Sequence, residues 1–245
     1  MPAPTIVYDL DGTLADTAED LVGTLNWLLG REGLAPLKVE TAGSLLGAGA
    51  RALIKRGFAA SGRSLEPDKL EALFADYLSY YGAHIMERSR LYPGVDRALG
   101  AFERAGWRQA VCTNKTENLA KLLIAKLGIA DRFAFICGQD TFGVSKPDAR
   151  PLLRTIAASG GVSERAVMVG DSGTDVGCAR AAHVPVIAVD FGYADVPVQE
   201  LGPDRVISHF DELMEACDAL LAVADHASTE PIEPSPSANG ARKRN

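Results

Sequence analysis

The stretch IVYDLDGTLADT, residues 6–17, decides how the rest of the chain is read. An apolar run ends in Asp9 and Asp11, followed by Gly12 and Thr13. Carboxylates at the end of a buried strand lose hydration and need something to pair with. Side chains two apart on a strand share a face. If the strand persists through Asp11, both carboxylates address one ligand, and Gly12 lets the backbone turn away without a side-chain clash. Taken alone, the Asp-Gly pair also fits a hairpin turn between apolar runs.

Working outward, residues 5–8 read as a short buried strand. Residues 16–32 read as a helix, with Leu21, Leu25, Leu28 and Leu29 at helical spacing and Asp16 with Glu19 as a capping box. Further helical patterns cover 50–61 and 67–88, the second opened by Pro67. No strand signal interrupts residues 16–88. After the turn YPG at 92–94 the pattern alternates. Helices are expected at 95–105, 116–127, 148–158, 174–182 and 210–223. Strands are expected at 107–112, 133–137, 166–169 and 186–189, with a weaker one at 205–208. Short apolar strands alternating with helices predict an α/β fold. The expected architecture is a doubly wound, mainly parallel Rossmann-like sheet with a small all-helical cap inserted after the first strand. The catalytic core is placed at 1–15 and 92–225, the cap at 16–91, and a disordered tail at 226–245. That tail is rich in Pro, Ser and charge, and its RKR reads as solvated.

Composition narrows the function. The formal net charge of −7 argues against nucleic acid or an anionic membrane as partner. No run of about 18 apolar residues is present to span a bilayer, and no secretory signal pattern opens the chain. Cys112, Cys137, Cys178 and Cys217 form no C-x-x-C pair and read as reduced core thiols of a cytoplasmic protein.

Ligands of open α/β sheets bind at the carboxyl ends of the strands. Asp9 and Asp11 follow the first expected strand. Thr113, Asn114 and Lys115 follow the second. Gly138, Gln139 and Asp140 follow the third, with Ser145-Lys146-Pro147 leading into the next helix. Gly170, Asp171, Ser172, Gly173, Thr174 and Asp175 follow the fourth. Singly these are weak signals; together each falls where a strand pattern ends.

The set resembles the haloacid dehalogenase (HAD) superfamily of phosphotransferases. DLDGT at 9–13 resembles its first motif, Thr113 in VCTNK its second, Lys146 in SKPD its third and GDSGTD at 170–175 its fourth. Within the superfamily the chain is most similar to bacterial phosphoglycolate phosphatases, through YDLDGTLADT, LLGAGARALI, YPGV, CTNK, KPDARPL and GDSGTDVGCARAA. Ala149 stands where a proline is common, and Tyr8 where phenylalanine is common. The resemblance implies Asp9 as nucleophile, forming an aspartyl-phosphate, and Asp11 as general acid, then base.

A general acid supplies roughly 3–5 kcal/mol of the up to about 28 kcal/mol that phosphate-monoester hydrolysis can require. Positioning and fixed charge must supply much of the rest. Asp9, Asp11 and Asp171 cannot gather unprotonated around a phosphate without a cation, which implies Mg²⁺. Asp9 and Asp171 are the expected side-chain ligands, and the resemblance adds the backbone carbonyl of Asp11. Asp175 is expected to act on the ligands from behind. Lys146 is expected to neutralise the transferring oxygens and Asp9, while Thr113 and the Asn114 N–H hold the phosphoryl group.

The expected partner is a small phosphoester, foremost 2-phosphoglycolate. Its carboxylate needs a cation or N–H donors from the cap, and Arg51 in GAGAR is the candidate. GAGAR itself is no dinucleotide fingerprint, having no preceding strand and no third glycine. His84, His183, His209 and His226 read as structural or exposed. The alternatives are a phosphatase or mutase of the same superfamily on a sugar phosphate, nucleotide or pyrophosphate, a phospho-signalling receiver, and a non-catalytic binding module.

Overall fold

A computed structural model describes residues 2–227. Strand β1 (Thr5–Tyr8) is β-branched or aromatic at every position and wholly buried, as suits the centre of a sheet covered on both faces. After it come the two-residue strand β2 (Ala15–Asp16) and helices α1 (Ala18–Arg31), α2 (Val39–Ala42), α3 (Ala50–Ala60) and α4 (Pro67–His84). Strand β3 (Arg90–Leu91) returns the chain, and alternation begins: α5 (Val95–Arg104), β4 (Arg108–Cys112), α6 (Glu117–Lys126) and β5 (Phe135–Cys137). It continues with α7 (Ala149–Ala158), β6 (Ala166–Gly170), α8 (Gly173–Ala181), β7 (Val186–Val189), β8 (Arg205–Ile207) and α9 (Leu213–Ala227).

Six strands form one sheet in the order β5-β4-β1-β6-β7-β8, every pairing parallel. The alternation of β1 sorts the core. Ile6 and Tyr8 face Leu99 and Phe102 of α5, Leu123 of α6 and Leu213 of α9. Val7 faces the opposite layer, with Leu152 and Ile156 of α7 and Val176 of α8. The sheet is therefore doubly wound and parallel. Strand order reverses beside β1, where β4 and β6 flank it, and a crevice forms at such a reversal.

Helices α1, α3 and α4 bury their apolar stripes on one another: Leu25 and Leu28 from α1, Leu53, Ile54 and Phe58 from α3, Phe74, Tyr77 and Tyr81 from α4. They belong to the same apolar cluster as Ile6 and Tyr8.

The structure departs from the sequence pattern in several places. The ends of the helical insertion are zipped by an antiparallel pair, Ala15 with Leu91 and Asp16 with Arg90. Two-residue strands are too short to show a period of two. Asp16 is drawn into that pair, so the expected capping box does not form and Thr17 becomes the N-cap of α1. The expected helix at 210–223 is a single 3₁₀ turn, Phe210–Glu212, capped by His209, followed by α9. Helix α9 runs through Ala227, so the first two residues of the expected tail are helical. The remainder of that tail, with its RKR, lies outside the described residues.

All four cysteines are free and buried. Among the described residues no helix is long and apolar enough to cross a membrane. His84 stacks on Tyr80, with Nδ1 2.7 Å from the Tyr80 carbonyl oxygen. His183 follows α8 in a left-handed conformation, the His209 Nδ1 accepts from the Asp211 N–H, and His226 lies in α9.

Candidate active site

Asp9 is the first residue beyond β1, and its N–H still donates to the Val169 carbonyl of β6. Its Oδ1 accepts from the Leu10 N–H at 2.7 Å and lies 2.9 Å from the Lys146 Nζ. Asp171, the first residue beyond β6, accepts from the Thr13 hydroxyl on one oxygen and the Tyr193 N–H on the other. Asp175 sits in the first turn of α8, in a reciprocal capping box with Ser172. Its Oδ2 accepts from the Ser172 hydroxyl and N–H, and its Oδ1 from Lys146 Nζ at 2.6 Å. Both oxygens of Asp175 are thus engaged.

One carboxylate oxygen each from Asp9, Asp171 and Asp175 can lie within 4.8 Å of one another, all three residues buried. At that spacing each like-charge pair repels by on the order of 3 kcal/mol even at an effective dielectric of 20. Burial pushes the Asp9 carboxyl up to about 6, although Lys146 pulls it down. Burial, then Asp175 and Asp9, push Asp171 well above the carboxylate range. Burial alone would lower Lys146, but Asp175 and Asp9 outweigh it and hold the ammonium charged. With all three carboxylates ionised, one ammonium would leave an excess of negative charge. An all-oxygen donor set with that excess fits a hard divalent cation.

Gly12 shows how closely the loop passes. Its φ is +83°, and a Cβ there would stand 2.4 Å from the Asp171 Oδ2. Only glycine meets both conditions.

Thr113 extends the register of β4, its N–H donating to the Cys137 carbonyl. The Asn114 side chain donates to the Lys146 carbonyl and accepts from the Lys146 N–H, which ties the end of β4 to the turn carrying the lysine. Asp9, Asp11, Thr113 and Asn114 open onto a cavity of about 50 Å³, walled by Leu53 of α3 and Tyr77 and Tyr81 of α4.

Two expectations are corrected here. The strand does not persist to Asp11: β1 ends at Tyr8, and Asp11 forms only an isolated bridge to Ala15. Its carboxylate turns to Lys115, with Nζ 2.8 Å from both oxygens, and to the Thr17 hydroxyl at 2.8 Å. Arg51 is not brought into the site. Its guanidinium makes two 2.7 Å bonds to Glu71 and lies 3.6 Å over the Phe74 ring, with about half its side chain in solvent. A planar fork matched by a carboxylate and an aromatic face has no reason to leave the surface.

Sequence reasoning gave Lys115 no role, although it stands beside Thr113 and Asn114 at a strand end. It also missed Asp20, whose carboxylate accepts from the Arg88 and Ser89 N–H groups and the Ser89 hydroxyl. Tyr193 was missed too. Its hydroxyl accepts from the Thr17 and Ala18 N–H groups and donates to Asp16. Neither residue sits in a local pattern that announces it.

Three buried carboxylates, a lysine and a hydroxyl gathered where β1, β4 and β6 end match a phosphoryl-transfer site of the HAD kind. The sequence pattern of the haloacid dehalogenase-like hydrolases matches residues 6–189, and the chain belongs to that family. It is 47% identical over 227 residues to the phosphoglycolate phosphatase of Mesorhizobium japonicum, covering 92% of this chain and all of that one. It is 47% identical over 214 residues to the phosphoglycolate phosphatase of Agrobacterium fabrum, covering 87% and 92%. Among solved structures, a predicted phosphoglycolate phosphatase from Haemophilus somnus superposes with a TM-score of 0.82 at 26% identity, covering 87% of this chain and 97% of that one. The protein is a HAD-type phosphatase, a phosphoric monoester hydrolase.

Proposed function

We propose that the protein hydrolyses 2-phosphoglycolate to glycolate and phosphate, with Mg²⁺ as cofactor and Asp9 as nucleophile. The observation that carries this reading is the placement of Asp9 at the cavity floor, one oxygen fixed by Leu10 N–H and Lys146, beside Asp171 and Asp175. Asp9 and Asp171 would hold the metal, with the Asp11 carbonyl as third protein ligand. Bound Mg²⁺ supplies charge neutralisation on the transferring oxygens and on the carboxylates around them. Asp175, both of whose oxygens are engaged, fixes Lys146 and the Asp171 loop from behind.

The unshared oxygen of Asp9 attacks phosphorus, and the bond from phosphorus to the glycolate oxygen breaks. Asp11 gives that oxygen its proton, then takes one from the water that splits the aspartyl-phosphate. Lys146, the Thr113 hydroxyl and the Asn114 N–H hold the phosphoryl group. Residues 16–91 act as a cap over the core formed by 1–15 and 92–225, keeping bulk water from the site.

Two features favour a compact substrate over a sugar phosphate or nucleotide. The relatives with which the chain shares 47% identity bear the phosphoglycolate phosphatase name over nearly their whole length. The cavity beside Asp9, walled by Leu53, Tyr77 and Tyr81, is small, about 50 Å³. The test is phosphate release from 2-phosphoglycolate, glucose 6-phosphate, a nucleoside monophosphate and pyrophosphate, with Mg²⁺ and with EDTA. Preference for another substrate overturns the substrate assignment. Turnover that persists in Asp9→Asn overturns the mechanism.

A further inference from the structure

We propose that Lys115, the Tyr81 hydroxyl and the first turn of α3 together form the subsite for the carboxylate end of the substrate. The inference rests on the phosphoglycolate reading and names the groups that would make it specific.

Tyr81 is 1% exposed and lines the cavity, yet its hydroxyl has no hydrogen-bond partner. Buried hydroxyls are seldom left so. Tyr77, one turn earlier on the same helix, shows the ordinary arrangement: its hydroxyl donates to the Leu21 carbonyl. Burial, with Asp11 and Asp20 nearby, keeps the Tyr81 phenol protonated, so its hydroxyl is a buried donor without an acceptor.

Lys115 approaches from the core. Its ammonium is clasped by Asp11 and stands 4.6 Å from the centroid of the Tyr81 ring, with its side chain 5% exposed. The third element is α3. Gly49 at its N-cap has φ +83°, and a Cβ there would lie 2.9 Å from the Asn114 carbonyl oxygen. The absence of that Cβ lets the first turn press against the end of β4, and Ala50 lines the same cavity. First-turn N–H groups have no acceptor within their own helix and carry the positive end of its dipole.

An ammonium, a phenol and helix N–H groups share one kind of complement, an anion. The phosphoryl group already has Thr113, Asn114 and Lys146. What remains for the cap side is the second anionic group of a two-ended substrate. Its arrival also gives Lys115 a competing carboxylate.

The test uses the full chain with Mg²⁺ and two substrates of equal length. One is 2-phosphoglycolate; the other is 2-hydroxyethyl phosphate, in which CH₂OH replaces the carboxylate. The readout is the ratio of their kcat/KM values. Tyr81→Phe removes a hydroxyl that has no partner to lose, so its thermal midpoint stays at the wild-type value. Its ratio falls about tenfold, chiefly through KM for phosphoglycolate. Lys115→Met collapses the ratio further and also lowers kcat. A wild-type preference that persists within about twofold in Tyr81→Phe overturns the subsite and leaves the function standing. A wild-type ratio near one overturns both, since no carboxylate is then being read.

Discussion

Lys146→Met tests the electrostatic account of the site most directly. The lysine side chain is 1% exposed, and its Nζ sits 2.9 Å from Asp9 and 2.6 Å from Asp175, whose side chains are 5% and 0% exposed. Methionine keeps the volume and the apolar stem but removes the only cation beside the Asp9–Asp171–Asp175 cluster among the described residues. Removing one partner of a buried ion pair costs about 3–5 kcal/mol, because the other charge remains buried and unpaired. With a urea m-value near 3 kcal/mol/M, at the upper end for small proteins, the midpoint in EDTA should fall by roughly 1–1.7 M. Mg²⁺ should raise the variant's midpoint by more than it raises the wild type's, since the vacant charge falls to the metal. Phosphatase kcat should fall by about 10²–10³, the cost of removing one fixed charge from a transferring group. Urea melts with EDTA and with Mg²⁺, read by circular dichroism, decide the matter. A shift below about 0.3 M in EDTA would show that the carboxylates are not balanced by Lys146, and the argument for a metal from excess charge would fall with it.

Three further outcomes follow from single contacts. Gly12→Ala should cost about 1–3 kcal/mol for its positive φ and should weaken Mg²⁺ activation at least tenfold, because its methyl meets Asp171 at 2.4 Å; a Mg²⁺ titration of activity measures this. Asp20→Ala strands the Arg88 and Ser89 N–H groups, and denaturation should reveal a loss of about 3–5 kcal/mol. Arg51→Ala removes an exposed pair worth less than about 1 kcal/mol and should alter KM for phosphoglycolate less than about twofold. A tenfold rise there would return Arg51 to the substrate.

The residues legible in the sequence are those whose position is set by a strand. Asp9, Thr113 and Asp171 each follow a short apolar run directly, and a parallel sheet brings such ends together whatever the loops do. Lys146 became legible through SKPD, and its ammonium does reach Asp9. The shared-face argument for Asp11 does not apply, because a period of two extends only as far as the ladder and β1 stops at Tyr8, yet Asp11 still lines the cavity beside Asp9. Arg51 was misplaced for a different reason. A basic residue beside glycines is visible from the chain, but its partner Glu71 lies 20 residues away on another helix. Tyr81 reads simply as part of the apolar stripe of α4; only packing shows that its hydroxyl ends without a partner.

The loop from Asp9 to Thr17 joins the carboxylate cluster to the helical insertion. The Asp9 and Thr13 side chains are held by groups outside the helical insertion, Asp9 by the Leu10 N–H and Lys146 and Thr13 by Asp171. Asp16 and Thr17 contact Arg90, which closes the insertion, and Tyr193. Asp11 stands between them, held by Lys115 from the sheet and by Thr17, the N-cap of α1. A displacement of α1 therefore acts on the Asp11 carboxylate through one hydrogen bond, while Asp9 stays fixed to the sheet by Leu10, Lys146 and the β6 carbonyl. Asp9 is placed by the sheet, and Asp11 is held partly by the start of α1. Tyr193 joins the two halves: its N–H fixes Asp171 and its hydroxyl fixes the start of α1. Asp171 and the start of α1 thus share a single residue as anchor.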